Sequence, residues 1–146
     1  MKIRIGFTGT RNSLTDAQRE ALEFVLLTEF NRNDEQPELH HGDCVGADAA
    51  CHAIARAMGY RIVLHPPADG RFRANLEGEA DSIFPARPYL ERNRQIVDNT
   101  DLLVACPQGP EEKRSGTWST VRHARRWGVP VIVVWPDGRA EREVRE

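Results

Sequence analysis

The chain has 146 residues, 40% of them hydrophobic and 29% charged, the size and balance of one globular domain with a substantial core. Its formal net charge of -2 argues against a nucleic-acid binder, which needs a basic face to displace counterions. No apolar run approaches the roughly 20 residues that span a bilayer, and Cys44, Cys51 and Cys106, odd in number and without a C-x-x-C pair, argue against a disulfide framework or a cysteine zinc site.

The N-terminal MKIRIGFTGT has no apolar signal core, so Ile3 to Thr8 reads as a first buried strand ended by Gly9, and the expected compartment is the cytoplasm. Thr15-x-x-Gln18 forms a capping box that opens a helix to about Asn31. Asn33 to Pro37 is a polar turn, and Glu38 to His41 a short strand. Ala47, Ala50, Cys51, Ile54, Ala55 and Met58 make one apolar helical stripe, closed by Gly59. Tyr60 to Leu64 predicts the third strand. Residues 65–88 then break the rhythm with Pro66, Pro67, Gly70, Gly78, Pro85 and Pro88, and are expected to form a partly ordered flap over a ligand site. A helix over Tyr89 to Asn99 precedes an apolar strand, Leu102 to Cys106, and a loop, Pro107 to Lys113. Ser115-Gly116-Thr117 opens a helix in which Trp118, Val121, Ala124 and Trp127 recur before Gly128; most of that stripe is expected in the core. Val129 to Trp135 is a last apolar strand of the kind buried in parallel sheets. The charged tail, 137–146, is expected to be exposed or a short helix.

About five strands alternating with helices predict an α/β fold: a single Rossmann-like domain over residues 1–136, with an open, mostly parallel sheet flanked by helices. Such sheets bind ligands beyond the carboxyl ends of their strands, which selects three turns. The first holds Gly9, where a ligand can approach the backbone, with Thr10 and Arg11, a phosphate fork. The second, His41 to Asp48, sets Gly42, Asp43, Cys44 and Gly46 before the strongest helix; amides at such a start attract anions, and Asp48 stabilises it. The third sets Arg114, Ser115, Gly116, Thr117 and Thr120 at another helix start. Neither a P-loop nor a G-x-G-x-x-G dinucleotide fingerprint is present. His40, His41, Asp43 and His52 lack metal-ligand spacing, so no metal and no separate cofactor is expected.

The segments G-F-T-G-T-R, H-G-D-C-V-G-A-D, R-P-Y-L-E-R-N-R-Q-I-V-D and R-S-G-T-W-S-T-V-R-H-A-R resemble those of the SLOG superfamily, which takes in DNA-processing protein A and the Lonely-guy phosphoribohydrolases. The resemblance runs from Ile3 to about Pro136 and is nearest to small members without an assigned reaction. It implies a nucleotide-type ligand with its phosphate near the start of the Gly116 helix, bound by a homodimer that serves as a sensor module. In the phosphoribohydrolases an arginine and a glutamate support cleavage of the N-glycosidic bond; Arg92 falls at the arginine position and Gly116-Thr117 at the G-T, but Thr120 stands where the glutamate would. Threonine cannot stabilise positive charge growing on a ribose. Nucleotide binding is therefore the first expectation. The alternatives are N-glycosidic hydrolysis of a nucleotide by Arg92 with a substitute carboxylate, Asp43 or Glu91 ahead of Asp98, Glu111 or Glu112, and single-stranded DNA binding.

Overall fold

The computed structural model describes residues 2–143. Seven strands form one sheet in the order β4-β3-β2-β1-β5-β6-β7. They are β1 (Arg4–Gly9), β2 (Glu38–His41), β3 (Arg61–Leu64), β4 (Ser82–Ile83), β5 (Leu102–Cys106), β6 (Val131–Val134) and β7 (Ala140–Arg142). All pairs are parallel except β6 with β7. Helices α1 (Asp16–Arg32) and α2 (Ala47–Met58) pack on one face; α3 (Tyr89–Asp98) and α4 (Gly116–Trp127) pack on the other. The Rossmann-like α/β class thus holds with two more strands than expected.

Alternation in β5 shows how a continuous apolar strand serves both faces. Leu102, Val104 and Cys106 join the core under α1 and α2, and Leu103 and Ala105 join Val97, Trp118, Val121 and Ala124 on the other side. Trp127 departs from its stripe: it is 68% exposed, at the last residue of α4. Gly59 and Gly128 take left-handed conformations that end α2 and α4.

The capping box is half formed. Thr15 Oγ1 accepts from the Gln18 amide at 3.0 Å, but the Gln18 side chain does not turn back. It is buried, and its Nε2 donates to the carbonyls of Pro107 (3.0 Å) and Val134 (2.9 Å), joining the ends of β5 and β6. The tail forms β7 where a helix was one expectation, with Glu143 N–H bonded to Val131 O. No helix among the described residues is long and apolar enough to cross a membrane.

Chain direction reverses beside β1: β2, β3 and β4 are laid down on one side, and β5, β6 and β7 on the other. The carboxyl ends of β1 and β5 therefore border a switch point, where the connecting loops part and leave a cleft.

Candidate functional site

A cavity of about 650 Å³ opens at that switch point. Its floor is the end of β1, and its walls come from the turns after β1, β2 and β5 and from the first residues of α3 and α4. Of the residues expected to bind ligand, Gly9, Thr10, Arg11, Gly42, Cys44, Asp48, Arg92, Arg114, Ser115, Gly116 and Thr117 all line it. Gly46, Asp43, Glu91 and Thr120 do not.

Each of those four has a structural occupation or the wrong placement. Gly46 lies against the Arg11 carbonyl, where the β2–α2 and β1–α1 turns touch. Asp43 is fully buried at φ 55°, and its carboxylate accepts from Arg73 (Nε 3.0 Å, Nη2 2.9 Å) and from the Leu76 amide (2.9 Å). Glu91 is exposed on α3. Thr120 turns its hydroxyl back on the Gly116 carbonyl at 2.9 Å, inside α4. Neither Asp43 nor Glu91 thus lines the cavity.

The two helix starts differ in what they offer an anion. At the β2–α2 turn the amides are already engaged: Gly42 and Cys44 donate to Asp48 Oδ2 (both 3.2 Å), Asp43 to His41 Nδ1 (3.0 Å), Val45 to Phe72 O (2.8 Å) and Ala47 to Thr10 O (2.9 Å). The expectation of free amides there fails because the turn spends them on its own fold. At α4 only the Trp118 amide is capped, by Ser115 Oγ at 3.2 Å. Among the described residues the N–H groups of Gly116 and Thr117 have no acceptor, and the Thr117 hydroxyl has no partner. These groups, at the positive end of a 12-residue helix, are what an anion needs.

Arg92 is 3% exposed yet lines the cavity. Its Nη1 donates to the carbonyls of Gly42 (2.5 Å) and His65 (3.1 Å), its Nε to Asn93 Oδ1 (2.8 Å), and its Nη2 reaches only Cys44 Sγ at 3.6 Å. Gly42 is required beside it, since a Cβ there would overlap the guanidinium. The Tyr89 ring carries Arg92 at 4.7 Å and Arg11 at 5.5 Å, and its hydroxyl accepts from Arg11 Nη2 at 3.2 Å. No carboxylate of the described residues pairs with Arg11, Arg92 or Arg114. Glu112 and Asp48 are the acidic residues of the lining. Burial lifts the Asp48 carboxyl to about 6, although Arg92 and the two amide bonds pull it down.

Sequence reasoning singled out none of Asn12, Tyr89, Asn93 and Gln108 as ligand-binding, and Glu112 only as one of several carboxylates within reach. Tyr89 and Asn93 sit three before and one after Arg92 on α3, so the choice of Arg92 carried a signal for Tyr89 as its neighbour one turn back. Gln108 accepts from Asn12 Nδ2 at 2.7 Å and bridges the two loops of the switch point; nothing in its spacing marks it. The 65–88 segment, expected as a flap, lines none of the cavity. It clasps the outside of the β2–α2 turn instead, through the Arg73–Asp43 pair and the bonds of Val45 and Ala74, with Phe72 4.2 Å from the Arg11 guanidinium.

Behind Arg92 lies a buried histidine chain. His65, whose carbonyl holds the arginine, bonds through Nε2 to His40 Nδ1 (2.8 Å), and His40 Nε2 bonds to Glu38 (3.0 Å). Burial lowers the pKa of His40 and His52, takes His41 well down, and puts His65 at about 4. These rings are neutral in the fold and would protonate on unfolding below pH 6.5. Their contribution is therefore complete above pH 6.5 and is lost as pH falls towards 4, at about 3 kcal/mol for His65. Asp48, raised from 3.8, runs the other way, but one carboxylate faces four histidines. The thermal midpoint is expected to fall between pH 6.5 and 4, and NMR titration should find the His65 ring unprotonated until close to pH 4; a His65 midpoint near 6.5 would remove the argument.

No family model and no curated protein sequence matches the chain. Solved structures do match in shape. The molybdenum cofactor binding protein of the phototrophic bacterium Rippkaea orientalis is 22% identical with a TM-score of 0.69, the match covering 92% of this chain and 77% of that one. TM1055, a structural genomics target, is 18% identical with a TM-score of 0.63, over 90% and 72%. At these identities the likeness is one of fold.

Proposed function

We propose that the protein binds a nucleotide or nucleotide-derived small molecule, phosphate first, in the switch-point cavity, as a SLOG-type sensor module. The observation that carries this reading is one cavity lined both by the unpartnered amides of Gly116 and Thr117 and by a buried arginine that forms no salt bridge among the described residues. A buried guanidinium without a salt-bridge partner is costly, and an entering phosphate supplies one in a low-dielectric site. The volume lies within the usual range for small-molecule sites, roughly 300–1,000 Å³. Hydrolysis of the N-glycosidic bond ranks second, because Asp43 and Glu91 stand outside the lining and Thr120 is turned away, so that of the carboxylates considered for it only Glu112 lines the cavity. The resemblance adds a homodimer, which sedimentation equilibrium would check.

The test is a thermal-shift panel of nucleoside mono-, di- and triphosphates, cyclic nucleotides, nucleotide sugars and ADP-ribose. The fold-level likeness to a molybdenum cofactor binding protein adds that cofactor to the panel. A ligand at about 100 times its Kd stabilises the fold by roughly 2.7 kcal/mol, a rise of roughly 5–10 °C at this size. Each hit is then incubated and assayed for free base. A shift without base release supports the binding reading, base release promotes the hydrolase, and a flat panel overturns both.

A further inference from the structure

Asp48 does more than the β2–α2 turn requires of it. Both turn amides, from Gly42 and Cys44, converge on Oδ2. The side chain is 7% exposed and lines the cavity, and among the described residues nothing bonds to Oδ1. One oxygen pins the turn; the other is left to the cavity. The groups that bear on this carboxyl are Arg92 from α3, Asp43 and Cys44 from the turn, Cys51 from α2 and Cys106 at the end of β5. None of them donates a hydrogen bond to Oδ1.

We propose that Asp48 Oδ1 is a hydroxyl subsite, which accepts hydrogen bonds from the sugar of a ligand whose phosphate lies at Arg92 and the start of α4. The inference rests on the phosphate-binding reading above. A carboxylate among unpaired arginines repels phosphate oxygens, so the ligand must meet it with a donor. On a nucleotide the donors covalently nearest the phosphate are the sugar hydroxyls, and a base amino group lies farther along the molecule. A carboxylate oxygen with its lone pairs free accepts from a hydroxyl strongly, and a charged acceptor makes a bond about twice as strong as a neutral one.

The experiment uses AMP and 2′,3′-dideoxy-AMP, with Kd measured by calorimetry at pH 8 and pH 5 on the wild type and on Asp48→Asn. Wild type at pH 8 should bind AMP at least about 10-fold more tightly than the dideoxy compound, the size expected for a bond to a charged group. In Asp48→Asn that ratio should fall below about 3-fold, as expected once the acceptor is uncharged. Phosphate protonation affects both ligands alike and cancels in the ratio, so a wild-type ratio that shrinks from pH 8 to pH 5 supports the proposal even if the variant does not fold. Equal wild-type affinities, or discrimination unchanged in Asp48→Asn, would overturn the hydroxyl subsite and leave the nucleotide reading in place. Saturable binding of neither compound would sink the nucleotide reading itself, and the subsite with it.

Discussion

Arg92→Met is expected to weaken binding of a phosphate-bearing nucleotide by about 100-fold or more, and to leave the matching nucleoside within about 3-fold, since only the former loses a charged bond. Three bonds of Arg92, to the Gly42 and His65 carbonyls and to Asn93, fix the guanidinium plane against Tyr89. Nη2 is left with only a weak sulfur contact, and among the described residues no carboxylate forms a salt bridge with it. Met fills the same volume without charge, and it strands two carbonyls that Nη1 had satisfied. The fold should therefore lose about 1–3 kcal/mol, so binding must be read well below the variant's melting point. Arg92→Lys keeps the charge without the planar fork and should recover part of the lost affinity. If nucleotide and nucleoside weaken together in Arg92→Met, the arginine holds the β2–α2 turn and not the phosphate.

The frame of the fold was legible because its signals are local. The Ala47 to Met58 stripe and the glycines at 59 and 128 mark α2, and the ends of α2 and α4, within a residue. The strands β2 and β5 span the residues expected of them, β5 as a run of apolar residues. What escaped was set by partners distant in sequence. Two-residue β4 exists because Asp81 and Phe84 bond to Ile62 and Leu64 across a loop without periodicity. The strand β7 is a charged segment paired to the edge of β6, with no apolar face to reveal it. The site divides in the same way. Switch-point reasoning found most of the cavity's walls, but it could not tell a helix start whose amides are free from one whose amides are spent. That distinction depends on Phe72, Thr10 and Asp48 reaching the β2–α2 turn. Asp43 and Asp48 illustrate it well: five residues apart in one motif, the first is consumed by Arg73 and Leu76, the second keeps an oxygen for the cavity.

Gly46→Ala is expected to destabilise the protein by about 4 kcal/mol or more, enough to lower the thermal midpoint by roughly 8–16 °C. Two independent causes act at this residue. Its backbone, at φ 87° and ψ -124°, lies in a region that residues with a Cβ avoid. A Cβ there would also overlap the Arg11 carbonyl and come within 2.8 Å of the Asn12 oxygen. Backbone cannot swing aside like a side chain, so either the β1–α1 turn moves or α2 starts elsewhere. Both responses disturb the cavity: the first carries Arg11 with it, and the second carries Asp48. Gly9→Ala should behave similarly through packing alone, with its Cβ 2.5 Å from that of Ala47 where β1 meets α2. Gly78→Ala is the control: it has open space around it and should change the midpoint by no more than about 2 °C, as surface substitutions do. Denaturant melts of the three variants separate these cases. A Gly46→Ala protein as stable as Gly78→Ala would mean that the β2–α2 turn is not locked against Arg11, and the rigid wall assigned to the cavity would go with it.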